Sequence, residues 1–277
     1  MKVETVQYVS QGERVRALLF VSDERPPFLS EPGGSLNEGP LRRPAIVLAP
    51  GRDRDVRALE WLARPLAEAG FLVLGTHYRD TQTRVHQSDI EDVSAALSFL
   101  MNLESVDTSR LGLVGHSRGA IAVLNVAARQ ERVGTVVALA PVTDHVRYVR
   151  GMQQYSPSRY EAMIRMRGGT PDEVPDYYRA VSPIQWAANI TAPVLLIHGT
   201  LDLVVPMEHS QWMKEALERA GHRSVRLELL PQVGHFFERK FNGYAFEDVI
   251  SLCLDWLRET LGVSTVSEKS GGGGSPE

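Results

Sequence analysis

Leu111-Gly112-Leu113-Val114-Gly115-His116-Ser117-Arg118-Gly119-Ala120-Ile121 decides how the rest of this chain is read. Its first four residues have the apolar continuity of a strand buried on both faces, and Ile121, Leu124 and Ala128 follow at the spacing of one helix face. Gly-x-Ser-x-Gly stands between them, so the spacing predicts a strand, a sharp turn and a helix, the setting of a nucleophile elbow. Gly115 and Gly119 answer a question of space. Such a turn strains the serine backbone, and side chains beside it would strike the adjoining strand and helix. Ser117 is thereby set at a helix N-terminus, whose partial positive charge favours a developing oxyanion.

The same buried-strand pattern recurs on either side, at residues 45–49, 71–74, 136–140 and 194–197, with a final strand at 226–230. Amphipathic helices separate these strands. Val56, Leu59, Ala63 and Leu66 share one face, as do Ile90, Val93, Leu97 and Leu100. Later helices carry Met213, Ala216, Leu217 and Ala220, then Ala245, Val249, Leu252, Cys253 and Trp256. This alternation predicts an α/β protein with a mostly parallel, doubly wound sheet of about eight strands, helices covering both faces. Ahead of it, residues 5–9 and 15–21 read as two strands joined in a hairpin at Gln11-Gly12.

Three segments depart from the pattern. Residues 23–43, rich in Pro, Gly and Ser, form a surface excursion long enough for disorder or a role beside the site. Residues 144–186 carry loose helical pieces with many Met, Tyr and Arg, and read as a small cap inserted above the sheet; the alternative is a long crossover with one extra helix. Residues 263–277, with Gly271-Gly272-Gly273-Gly274-Ser275, make a flexible tail behind a single catalytic domain of residues 1–262.

A serine hydroxyl is a poor nucleophile until a base takes its proton. Of the eight histidines, His235 in Gly234-His235-Phe236-Phe237 lies between the last strand and the last helix, where Gly234 lets the chain bend back over the sheet. His116 is expected to point away from Ser117, His198 to pack or bond to backbone, and His209 and His222 to be helical or solvated. The base needs an orienting carboxylate. Asp202 follows the strand at 194–197, and Asp144, after the preceding strand, is its rival; a loop or helix cap is the alternative role for either. The order Ser117, Asp202, His235 is that of α/β-hydrolases. Two donors should form an oxyanion hole, the backbone N–H groups of Arg118 and of Arg52 in Pro50-Gly51-Arg52-Asp53. Their guanidinium groups stand either at the pocket mouth or in solvent. Within the cap, Tyr148, Met152, Tyr155 and Met163 suit an adaptable apolar substrate pocket, or else plain packing between cap and sheet.

Gly115-His116-Ser117-Arg118-Gly119, Ser182-Pro183-Ile184, the run from Ala192 to Gly199, Asp202 with Val205-Pro206, and Gly234-His235-Phe236 together resemble the catalytic domain of the prolyl oligopeptidase family. Dienelactone-hydrolase-like and feruloyl-esterase-like α/β-hydrolases share much of this pattern. The resemblance runs from about residue 45 to 261 and implies the α/β-hydrolase fold with serine-hydrolase chemistry. Prolyl oligopeptidases that cleave peptides carry an N-terminal β-propeller. Only about 44 residues precede the sheet here, so none is expected. Many relatives have His-Gly at the oxyanion loop where this chain has Pro50-Gly51-Arg52, and true dienelactone hydrolases use cysteine where Ser117 stands.

Composition narrows the classes further. A net charge of −4 carries no basic excess for nucleic acid, and no apolar run nears the roughly 20 residues that span a membrane. The N-terminus lacks the apolar core of a signal peptide, so a cytoplasmic protein is expected. The one cysteine, Cys253, excludes an internal disulfide framework and shares a core-facing helix stripe with Val249 and Trp256. No metal-ligand spacing or phosphate loop occurs, so no cofactor and no metal are expected. The function expected is a serine hydrolase cleaving small or aryl carboxylic esters through an acyl-enzyme. Its alternatives are a peptidase or amidase on short peptides, and a binding protein that has lost catalysis.

Overall fold

Gln11 and Gly12, with φ of 49° and 82°, turn the chain between β1 (Lys2–Ser10) and β2 (Glu13–Val21), an antiparallel pair. Two successive positive φ values match the right-handed twist of the strands they join, and glycine at the second adopts one freely. The structure, a computed structural model, describes residues 1–23, 42–52, 55–240 and 243–263. The excursion expected over 23–43 and the tail over 263–277 lie outside the described residues except at their edges.

The remaining strands are β3 (Arg43–Ala49), β4 (Leu72–Thr76), β5 (Val106–His116), β6 (Thr135–Leu139), β7 (Val194–Gly199) and β8 (Val225–Leu230). They form one sheet in the order β1-β2-β4-β3-β5-β6-β7-β8, antiparallel from β1 to β4 and parallel from β4 to β8. Alternate residues feed opposite cores, as the two-residue strand period requires. Val47, Leu113, Ala138 and Leu196 pack under α2 (Val85–Met101), α3 (Arg118–Ala127) and α7 (Glu208–Arg219). Ile46, Leu48, Val114, Val137 and Ile197 pack under α1 (Glu60–Glu68) and α8 (Phe246–Leu261), where Cys253 is fully buried. β5 is longer than its apolar run because Val106 pairs with Arg43 ahead of the polar residues Asp107 to Arg110.

Between β6 and β7 the chain makes three helices, α4 (His145–Tyr155), α5 (Pro157–Arg167) and α6 (Pro175–Val181), then a 3-10 turn over Pro183–Asn189. The prolines and glycines that suggest loose structure in the sequence act as punctuation. Pro157, Pro175 and Pro183 each open an element, where a missing N–H costs nothing, and Gly168 closes α5 at φ 86°. Arg167, 3% exposed, ties this segment to α2, its guanidinium lying 3.3 Å from both His86 Nε2 and His145 Nδ1.

Candidate active site

β5 ends at His116 and α3 begins at Arg118, so all of the reversal falls on Ser117, at φ 52° and ψ −111°. A non-glycine residue is seldom held there unless its surroundings impose it. Here the surroundings do so by close approach. A Cβ on Gly119 would lie 2.1 Å from the Ala49 carbonyl oxygen, and one on Gly115 would lie 2.5 Å from the Gly119 backbone. Since backbone cannot step aside, Gly119→Ala is expected to cost about 3 kcal/mol of stability. Gly151→Ala, on α4 with nothing within 4 Å of the added carbon, is expected to gain up to about 1 kcal/mol. Urea unfolding of the two variants checks the contrast; equal effects would show that the elbow is not sterically locked.

His235 reaches this serine from the loop after β8. Its Nε2 lies 2.9 Å from Ser117 Oγ and its Nδ1 lies 2.6 Å from Asp202 Oδ2. A carboxylate facing Nδ1 places the ring proton there, leaving Nε2 to accept from the serine hydroxyl. The other Asp202 oxygen accepts the Val204 and Val205 N–H groups, each at 2.8 Å. Burial opposes ionisation of Asp202, but hydrogen bonds from His198 and His235 outweigh it and hold the carboxyl well below the usual range. His198 Nε2 lies 3.2 Å from Asp202 Oδ2 and 3.0 Å from the Val205 carbonyl. Both neighbours are acceptors, so Nε2 carries the proton and Nδ1 accepts from the Ser210 hydroxyl at 2.7 Å. The sequence reading missed this contact with the acid; the four-residue spacing from His198 to Asp202 around a strand end was its one signal.

Asp144 does not approach His235. It caps α4, accepting the Arg147 N–H at 3.0 Å and pairing with the Arg147 guanidinium at 3.3 Å. His116 donates from Nε2 to the His235 carbonyl at 2.9 Å, so it holds the histidine loop. His209, expected to be helical or solvated, is helical but 1% exposed, because α7 presses it beneath Thr143, whose N–H points at its Nδ1 from 3.3 Å.

Gly51 abuts the elbow, a Cβ there lying 3.6 Å from Ser117 Cβ. Tyr78 anchors this loop by donating to the Pro50 carbonyl at 2.8 Å. Arg52 is exposed. The Arg118 guanidinium stands neither at the pocket mouth nor in solvent. It is buried against Asp89, with Nη2 at 2.6 Å from Oδ1, and lies 5.3 Å over the Tyr78 ring. A side chain leaving the first turn of α3 is directed onto α2, where Asp89 neutralises it. Tyr148 and Met152 pack with Ile121, Val142 and Val205, and Met163 rests against them. Tyr148 donates to the Val204 carbonyl at 3.0 Å, on the loop that carries Asp202. Tyr155 is 83% exposed. It extends the row of Tyr148 and Met152 into the last turn of α4, beyond the surface on which that helix rests.

Buried neutral histidines surround the site. Burial, with the neighbouring His235, lowers His116 to about 4, and burial with His198 and Arg147 lowers His209 to about 3. Burial and nearby cations hold His86 and His145 well below their ordinary value. The unfolded chain therefore binds more protons than the folded one between these values and the ordinary 6.5. Stability rises with pH across that window and falls as pH drops from 6.5 towards 4. At about 1.4 kcal/mol per unit, His116 alone contributes about 3 kcal/mol. The urea midpoint should fall markedly between pH 7 and pH 4.5, and an unchanged midpoint would contradict the burial of these rings.

Among the described residues no three His, Cys, Asp or Glu side chains are grouped to hold a metal ion, and no helix is long and apolar enough to cross a membrane. The sequence pattern of the prolyl oligopeptidase family matches residues 59–264, well over half of the chain. The chain belongs to the prolyl oligopeptidase family. As a member it is a serine hydrolase, and peptidases and esterases both occur among its relatives. It is 29% identical over 264 residues to the "uncharacterized peptidase YtmA" of Bacillus subtilis, covering 93% of this chain and 94% of that one. The next curated relatives of this prolyl oligopeptidase family protein are longer, and it spans between 22% and 28% of their length. Among solved structures, a puromycin-hydrolyzing peptidase of Mycobacterium tuberculosis superposes with a TM-score of 0.77 at 20% identity, over 95% of this chain and 40% of that one. Est1E of Butyrivibrio proteoclasticus superposes with a TM-score of 0.69 at 17% identity, over 93% and 99% of the two chains. These likenesses show the α/β-hydrolase fold.

Proposed function

We propose that this protein cleaves small or aryl carboxylic esters through an acyl-enzyme on Ser117. The observation that carries the reading is the continuous hydrogen-bonded row from Ser117 Oγ through His235 to Asp202. His235 Nε2 takes the hydroxyl proton as Oγ attacks the ester carbon, and Asp202 stabilises the imidazolium that forms. The backbone N–H groups of Arg118 and Arg52 receive the oxyanion. Support for this pair comes from the N-terminal place of Arg118 on α3 and from Gly51 abutting Ser117. The imidazolium then protonates the departing alkoxide, and water repeats the sequence to free the acid.

The segment 144–186 acts as the cap, with Tyr148, Met152 and Met163 forming an apolar wall beside Ile121. Ester cleavage makes the smaller chemical demand, because an alkoxide leaves more readily than an amine. Relatives named as esterases, LipC of Mycobacterium tuberculosis and EstD of Thermotoga maritima, support the ester reading. A second reading, cleavage of short peptides or amides, is favoured by the name of YtmA, whose length this chain nearly spans.

A matched panel of p-nitrophenyl esters, feruloyl esters and aminoacyl p-nitroanilides tests the choice. Esters should show the higher kcat/KM. An aminoacyl p-nitroanilide cleaved faster than every ester would replace the esterase reading with the peptidase one. Failure of an organophosphonate to label Ser117 would leave only a binding role.

A further inference from the structure

The apolar wall of the cap lies on the α3 and α7 side of Ser117. A second cleft, of about 300 Å³, opens on the opposite side, over α1 and the start of α8. Gly51 and Arg52 border it on one flank, Phe236 and Tyr244 on the other, and His116 forms part of its floor. It borders the reacting groups through two of its lining side chains, His116 and Phe236. The His116 ring lies 5.1 Å from that of His235, and Phe236 packs edge-on against His235 at 5.0 Å.

The walls are unusual for a surface cleft. Trp61 stacks on Phe246 at 4.1 Å with 12° between planes, and Phe246 stacks on Tyr244 at 4.5 Å with 18°. This ladder of parallel rings ends at Tyr244, which is 58% exposed, and Phe236 across the cleft is 53% exposed. Phe237, one residue along, is 1% exposed, so the loop has a buried aromatic position and leaves these two rings outside it. Large aromatic faces kept open to water beside a reactive serine mark a binding surface. At the rim stand Arg52 and Asp55, of opposite charge, and Asp55 is already engaged by the Arg57 N–H at 2.9 Å. Among the described residues the two rim charges oppose each other, so the flat apolar faces select the occupant.

We infer that this cleft is the leaving-group subsite and that it selects esters whose alcohol carries a planar aromatic ring. The inference rests on the ester-hydrolase reading above. When the tetrahedral adduct collapses, the bond from carbonyl carbon to the departing oxygen breaks and its electron pair stays on that oxygen. The oxygen takes the proton from His235 Nε2, so the departing group lies on the histidine's side, where Phe236 and the ring ladder receive it. The acyl group stays on Ser117 Oγ, and water replaces the aromatic alcohol. Run in reverse, an aromatic alcohol held in the cleft gives its proton to His235 and attacks the acyl-enzyme, forming a new ester.

The test compares benzyl acetate with cyclohexylmethyl acetate, which share an acyl group and release primary alkoxides of similar size. Benzyl acetate should have a kcat/KM about tenfold higher, the worth of one aromatic contact. The ratio should collapse towards one in Tyr244→Ala and in Phe236→Ala, with Tyr244→Leu and Phe236→Leu as substitutes should either alanine variant fail to fold. With p-nitrophenyl acetate as acyl donor, benzyl alcohol should capture the acyl group to form benzyl acetate far better than cyclohexylmethanol does. A wild-type ratio within twofold of unity, or a ratio that survives removal of both rings, overturns the inference while ester turnover and organophosphonate labelling leave the hydrolase reading intact. Absence of labelling and of any ester turnover overturns both.

Discussion

Ser117→Ala is expected to fold normally and to lose ester turnover by a factor on the order of 10⁴ to 10⁶, because the acyl-enzyme route is gone. His235→Ala should fall as far, and the double variant should fall little further, since nucleophile and base act as one unit. The geometry supplies the reason. His235 Nε2 has Ser117 Oγ as its partner at 2.9 Å, and Asp202 fixes the far side of the ring at 2.6 Å. Turnover of p-nitrophenyl acetate and labelling by an organophosphonate are the two measurements. A Ser117→Ala protein keeping more than a tenth of wild-type kcat would remove Ser117 from the mechanism. Ser117→Gly should be equally inactive yet more stable than wild type by about 1 kcal/mol, because glycine adopts φ 52° without the strain a side chain imposes there.

Asp202→Asn should lower kcat by about 10⁴, with the urea midpoint changed far less. An amide in place of the carboxylate presents N–H to His235 Nδ1, which turns the ring proton to Nε2, the atom that must accept from the serine. Asp144→Asn should leave kcat within about twofold and stability nearly unchanged, because asparagine caps a helix as well as aspartate does. Steady-state kinetics on the two variants decide the matter. The reverse ranking would transfer the role of acid to Asp144, against the 3.0 Å hydrogen bond that commits it to the Arg147 N–H.

Much of this site is legible in the sequence because its determinants are local. The elbow is a strand, a serine between two glycines and a helix, all within a dozen residues, and each glycine is required by backbone approaching within 2.5 Å of its missing Cβ. The hairpin at Gln11-Gly12 and the two-sided burial of the parallel strands rest on equally short-range patterns. The helices α4 to α6 are less legible, because Pro157, Pro175 and Pro183 mark helix starts as readily as breaks, and only the hydrogen bonds that follow tell the two apart.

The sequence by itself determined the fold class, the sharp turn at Ser117 and a short list of candidate acids and bases. Periodicity, turn chemistry and chain order are properties of neighbouring residues, and a reader of the sequence has those in full. Tertiary structure alone decided which partners meet. It gave Asp202 to His235 across 33 residues and made Asp144 a helix cap. It placed His198 against the acid, buried the Arg118 guanidinium on Asp89 and left Tyr155 in water. Each of these depends on the direction in which a side chain leaves its element and on what a distant segment presents to it. The registers of β6, β7 and β8 and the packing of α2 against α3 set those directions, and no local pattern records them.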